Sequence, residues 1–192
     1  ALRREPLVTD LTTTFIVPGK TLSEVSKLLK DEDGEVCLQV SRKHIIFRIG
    51  SYHVISRLLE GDFLDYNAAI PKVSKTTVKV NTRSFMDAIE RTSLLISDRL
   101  RSPIKLGIAD QMIQVSCSTT MGKAYDEVPC EIQGEGVNMG FNNKYLLDAL
   151  KATDCDMVRL EINGALSPMR VIPLEGDSFL FLVLPVRVKN DD

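Results

Sequence analysis

The sequence predicts an α+β protein built from one recurring unit, a strand, a helix and three further strands, with the helices packed on one face of antiparallel sheets. Three observations predict it. The segments "FIVPGKTLSEVSKLL" (15–29), "VKVNTRSFMDAIER" (78–91) and "MGFNNKYLLDALK" (139–151) each open on an extended apolar stretch, then pass two small, polar or turn-forming residues and one basic residue. After the basic residue each continues with apolar residues three and four apart, the spacing of one helix face. The basic residues are Lys20, Arg83 and Lys144, so the pattern recurs about every 62 residues, longer than most short solenoid periods.

In the first unit "TTFIVP" reads as extended, Pro18 and Gly19 break it, and Leu22, Val25 and Leu29 recur at helical spacing until "KDEDGE". "EVCLQV" then alternates Val36, Leu38 and Val40 on one face, "SRKH" turns the chain, and "IIFRIG" and "YHVISRLL" are two further strands. The second unit runs through "TTVKV", a helix from about Thr82 to Ile96 capped by Asn81 or Thr82, "IKLGIA", a turn at Asp110-Gln111, "MIQVSC" and "AYDEVPCEI". The third runs through "GVNMGF", a helix capped by Asn142 or Asn143, "MVRLEI", a turn at Asn163-Gly164, "MRVIPL", a turn at Glu175-Gly176-Asp177, and "FLFLVLPV". Gly61, Pro71 and the polar "KVSKTT" mark a link near residue 73, which divides the chain into domains at 1–72 and 73–192.

Composition narrows the classes. With 192 residues, 44% of them apolar, the chain is long enough for proper cores, and a soluble globular protein is expected. The longest strongly apolar run, "FLFLVLPV" (179–186), is too short to span a bilayer, and no basic, apolar leader opens the sequence, so a cytosolic address is expected. Ala1 is not a methionine, and the abrupt opening reads as a fragment or trimmed chain. The four cysteines, Cys37, Cys117, Cys130 and Cys155, form no C-x-x-C pair and are expected as reduced thiols. Twenty-four basic residues against 26 acidic ones give a net charge of −2, which decides nothing about nucleic acid until the charges are placed. No phosphate-binding, nucleophile-elbow or zinc-protease motif occurs, and His44 and His53 have no metal-ligand spacing. No catalytic residue, metal or cofactor is expected.

Charge placement along the helices is more informative. One face of the first helix holds Lys20, Ser23, Glu24 and Lys27, of the second Arg83, Asp87, Glu90 and Arg91, and of the third Lys144, Asp148 and Lys151. For any one helix a solvated amphipathic face is sufficient explanation. A cation in the first turn, however, opposes the macrodipole, and three units place one there. A surface that meets phosphate explains that cost, and the interspersed acids keep the attraction weak. At the carboxyl end Phe179, Phe181 and Val183 are expected in the core, with Leu182, Leu184 and Val186 pointing the other way, toward a covering helix or a partner.

Together "FIVPGKTLSEVSKLL", "LLEGDFLDYNAAIPK", "GFNNKYLLDAL" and the terminal "LPVR" resemble the beta subunit of bacterial DNA polymerase III, the sliding clamp, over essentially the whole chain. The resemblance implies a DNA-clamp fold, with 1–72 as the second half of the clamp's middle domain and 73–192 as its third domain. It implies a processivity subunit of DNA replication with no catalysis of its own: a head-to-tail homodimer ring around duplex DNA, its inner helices carrying Lys20, Lys27, Arg83, Arg91, Lys144 and Lys151 toward the DNA. It also implies a cleft for short clamp-binding peptides of the polymerase III catalytic subunit, the clamp loader and repair polymerases. Leu64, Ala68, Ala69, Asn142, Tyr145, Leu182, Leu184, Pro185, Val186 and Arg187 match its lining, although Leu64 stands where a proline is frequent and Ala68 where an arginine often sits. Leu95 and Ile96, in "SLLISD", match the ring interface. Two other readings compete: an α+β scaffold that binds protein only, its basic helix faces merely solvated, and, well behind, an enzyme with an unrecognised site.

Overall fold

Among the described residues asparagines start two of the three α-helices. The computed structural model describes residues 1–30, 34–96 and 102–188. Part of "KDEDGE" (31–33), the Ser97 and Asp98 of "SLLISD", and Lys189–Asp192 lie outside the described residues. Helix α2 (Thr82–Ser93) is capped by Asn81, whose Oδ1 accepts from the Ser84 amide at 2.9 Å, and α3 (Asn143–Lys151) by Asn142, whose Oδ1 accepts from the Lys144 amide at 2.9 Å. Helix α1 (Gly19–Leu28) follows Pro18 and has no side-chain cap. The second helix ends at Ser93, short of the expected Ile96, though Leu95 and Ile96 still pack on the core.

The strands are β1 (Leu2–Arg3), β2 (Val36–Val40), β3 (His44–Ile49), β4 (Tyr52–Arg57), β5 (Thr76–Asn81), β6 (Ile104–Ala109), β7 (Met112–Thr119), β8 (Gly122–Gly134), β9 (Val137–Phe141), β10 (Met157–Ile162), β11 (Met169–Pro173) and β12 (Phe179–Val183). Among the described residues "TTFIVP" forms no strand beyond one antiparallel bridge, Ile16 to Leu59. The two-residue turn between β6 and β7 has Asp110 and Gln111 at φ 51° and 60°, the left-handed conformation that short hairpins require.

Two compact units result. Residues 7–65 form one: α1 and the antiparallel sheet β2-β3-β4, with Val25, Ile45, Phe47 and Ile49 as its buried centre. Residues 1–6 and 66–192 form the other, because β1 pairs with β12, Leu2 opposite Leu180. The division therefore falls at 65/66, and the amino-terminal residues join the second unit, where the sequence places a link near 73.

In this larger unit nine strands run in the order β1-β12-β11-β10-β5-β8-β7-β6-β9. Strict alternation sends Val78, Val80, Ile104, Leu106, Ile108, Val158, Leu160, Ile162, Met169 and Val171 inward, where they meet Phe85, Ile89, Leu146 and Leu150 of the two helices. Here α2 and α3 cover the sheet and each other. In the smaller unit α1 lies on its sheet through Val25, the one residue it buries fully, with Leu28 packed beside it, while Leu22 is 48% and Leu29 44% exposed.

Candidate functional site

The tight turn between β9 and α3 and the close approach of the chain beyond β12 to β9 shape an apolar concavity. Beyond β12 the chain passes Pro185, and the Val186 amide donates to the Gly140 carbonyl at 2.8 Å, so the tail crosses β9. Gly140 is needed for that approach: a Cβ there would lie 2.4 Å from Val188 Cγ2 and 3.0 Å from the Val186 carbonyl oxygen. Phe179, Phe181 and Val183 are buried, as their alternation predicts, while Leu184 is 65% exposed. Between this strand and α3 lies a largely apolar cleft of about 450 Å³, lined by Asn142, Tyr145, Asp148, Ala149, Ala152, Phe181, Leu182, Val183, Leu184, Pro185 and Val186, with Ala1 at its edge.

Six expected cleft residues, Asn142, Tyr145, Leu182, Leu184, Pro185 and Val186, thus share one lining. Arg187 lines a second, more polar hollow of about 590 Å³ with Ser102, Pro103, Lys144 and Ile96, and Asn142, Tyr145 and Val186 border both. The two hollows flank the exposed Tyr145 ring. Ala68, closing the short 3₁₀ turn Tyr66–Ala68, and Ala69 are exposed and line neither hollow. Leu64 belongs to the 7–65 unit and is 77% exposed. Asp148, Ala149 and Ala152 were missed by the sequence reading, yet they stand three, four and seven residues after Tyr145, and small residues at the latter two positions are what leaves room for a groove.

The helix cations are mostly paired. Lys27 bonds Glu24 at 2.9 Å, Arg83 pairs with Asp87 at 3.0 Å, Arg91 with Asp126 at 2.7 Å, and Lys151 of α3 reaches Glu90 of α2 at 2.8 Å. All six basic side chains, with Lys20 and Lys144, are nonetheless exposed. The hydrogen bond from Lys151 holds the Glu90 carboxyl below its ordinary range, and the one from Arg91 does the same for Asp126. Helix end residues Leu95 and Ile96 are half-buried, whereas the preceding Leu94, which the sequence reading passed over, is 84% exposed. Burial pushes the Cys130 thiol up to about 11 and raises Cys117 as well. Among the described residues no three His, Cys, Asp or Glu side chains cluster as a metal site, and no helix is long and apolar enough to cross a membrane.

Recurring units with helices laid on antiparallel sheets define an α+β clamp fold, and solved sliding clamps share it. The DNA polymerase sliding clamp of Bacillus subtilis matches with a TM-score of 0.88 and 33% identity over 95% of this chain and 49% of that one. A sliding clamp from Bartonella birtlesii bound to griselimycin matches with a TM-score of 0.82 and 32% identity, over 91% of this chain and 47% of that one. The beta sliding clamp of Staphylococcus epidermidis is 35% identical over 174 residues, 90% of this chain and 46% of that protein. Residues 2–65 match the central domain of the DNA polymerase III beta subunit and residues 67–187 its C-terminal domain. The chain belongs to the DNA polymerase III beta subunit family. It spans about half the length of the relatives it matches.

Proposed function

We propose that this chain forms part of a ring-shaped sliding clamp that encircles duplex DNA and tethers a replicative polymerase and other partners, without catalytic residues of its own. One observation carries the reading: Lys20, Arg83 and Lys144 occupy the same first-turn position of three equivalent helices, all exposed, on a fold shared with sliding clamps. Helix N-termini and cations together attract phosphate, while the ion pairs at Lys27, Arg83, Arg91 and Lys151 dilute that attraction. Such a surface suits a protein that stays on DNA by topology and slides along it.

The cleft beside β12 is the docking place for short partner peptides carrying a glutamine and two bulky apolar residues. Leu182, Leu184 and Pro185 receive the apolar side chains, while Asn142 and Arg187 offer polar contacts at the adjoining hollow. Leu94, Leu95 and Ile96 supply the apolar contact of the ring interface in a head-to-tail homodimer of the full-length protein. A cytoplasmic location follows from work on chromosomal DNA. Retention of the full-length protein on circular but not linear duplex tests the reading. Equal retention on both, or on neither, favours the protein-only scaffold.

A further inference from the structure

A third hollow, a groove of about 740 Å³, lies in the larger unit where β6, β7 and β9 meet the chain beyond β12. Leu106, Ile108 and Val115 point into the core, so period two turns Lys105, Gly107, Gln114 and Ser116 to the opposite face of the sheet. The floor there is low because two glycines reach it. Gly107 stands opposite Gln114 on one side and Asn138 on the other, and Gly140 stands opposite Lys105. A Cβ on Gly107 would lie 3.1 Å from Asn138 Oδ1 and 3.3 Å from Gln114 Oε1, so two amide side chains border the space that a larger residue would take.

Lys105 and Arg187 are the charged residues of the lining, and no Asp or Glu is among them. Glu127, opposite Gln114, accepts a hydrogen bond from the Tyr125 hydroxyl and stands outside the lining. The groove is also continuous with the cleft. Val186 and Arg187 line both the groove and the more polar hollow beside Tyr145, and Val186 lines the apolar cleft as well. Three spaces therefore meet along one short stretch of chain where it passes over Gly140.

We infer that this groove receives an acidic segment flanking the glutamine end of the docked partner peptide. The inference rests on the docking reading proposed above. With the apolar side chains on Leu182 and Leu184 and the glutamine beside Asn142 and Arg187, the peptide leaves the polar hollow past Arg187, and the groove lies beyond. Carboxylates of that segment meet Lys105 and Arg187, while its backbone meets the side chains of Gln114 and Asn138, which both donate and accept. A phosphodiester strand fits less well, since it carries charge at every unit and Glu127 stands beside the groove.

Fluorescence anisotropy on the full-length protein tests this with three labelled peptides. All share the glutamine and two bulky apolar residues, and beyond the glutamine they carry a run of aspartates, serines or lysines. The aspartate peptide should bind about three- to tenfold tighter than the serine peptide at low salt, as two exposed ion pairs allow, and the advantage should fade toward about 0.5 M salt. Lys105→Gln should shrink that advantage and leave the dissociation constant of the serine peptide unchanged. Gly107→Val fills the floor without changing charge and should shrink it too; should that variant unfold in a thermal melt, the Lys105→Gln result decides. Equal binding of the aspartate and serine peptides overturns the inference and leaves the docking reading standing, whereas no binding of any peptide overturns both. A lysine peptide as tight as the aspartate one overturns it, as does a Lys105→Gln change that costs all three peptides equally or none. A Lys105→Gln loss confined to a single-stranded oligonucleotide assigns the groove to phosphate and equally overturns the acidic segment.

Discussion

Replacing Leu184 separates a docking residue from a core residue by magnitude. Fully burying a leucine side chain stabilises by about 1.5–3 kcal/mol. Leu184 is 65% exposed in the unbound cleft, so a peptide that covers it completely gains about 1–2 kcal/mol there. Leu184→Ala removes most of that gain, which weakens binding about 5- to 30-fold. The free protein's packing hardly changes, because an exposed side chain alters stability by no more than about 0.5 kcal/mol, or roughly 1–2 °C in melting temperature. Leu184→Asp goes further, since it sets a second carboxylate beside Asp148 in a cleft with an apolar floor. Fluorescence anisotropy with a labelled peptide bearing a glutamine and two bulky apolar residues measures the first quantity, and a thermal melt the second. Val183→Asp serves as contrast: Val183 is 4% exposed, and its carboxylate variant should unfold the unit. Deleting Lys189–Asp192 should leave peptide binding unchanged. An unaltered dissociation constant in Leu184→Ala, or a loss of many degrees in its melt, would refute the argument.

Gly140→Ala should weaken the same peptide without displacing Leu184 directly, because its Cβ forces the Val186–Val188 crossing away from β9; an unchanged anisotropy titration would show that the crossing does not shape the cleft. Replacing Lys20, Arg83 and Lys144 with Glu in the full-length protein should flatten the salt dependence of DNA association by about 0.9 for each phosphate no longer neutralised, read as the slope of log K against log salt, with no change in the melt. Acid should find the helix ion pairs. The Asp126 carboxyl is held below its ordinary value of 3.8 by Arg91, so the pair's contribution is fully present above that value and is lost as pH falls through the depressed one. Urea midpoints taken from about pH 5 to pH 3 should therefore drop more steeply for the parent than for Arg91→Met. Finally, the exposed Cys37 should react with a thiol reagent at mildly alkaline pH well before Cys130, whose rise from 9.0 to about 11 cuts its thiolate about 100-fold; simultaneous labelling, followed by mass spectrometry, would count against the half-buried Cys130 thiol being raised.

What local pattern can carry was legible in the amino-acid order. Period-two alternation runs through β6, β7, β10 and β11, a continuous apolar run marked β12, asparagines marked the starts of α2 and α3, and Asp110-Gln111 marked a tight hairpin, because each of these is decided by residues within a few positions of one another. The repeat was legible for the same reason, as was the split of Phe181 and Val183 from Leu184 along the last strand.

Other features depend on residues far apart in sequence. Whether "TTFIVP" becomes a strand depends on an edge to pair with: its equivalents β5 and β9 pair with β10 and β6, whereas among the described residues this segment makes one bridge, Ile16 to Leu59. Leu22 and Leu38 are exposed although their pattern is that of buried residues, since burial is decided by the surface packed against a face and not by the period along it. Lys151 meets Glu90, sixty-one positions away, only because α2 and α3 pack together. Arg91 reaches Asp126 only because β8 passes beside α2. Ala149 and Ala152 line a cleft only because β12 runs next to α3, which leaves hollow the space that larger side chains would fill. Hydrophobic period records which face of an element is to be covered, but the covering surface and the partner of each charge come from chain crossings that no local spacing encodes.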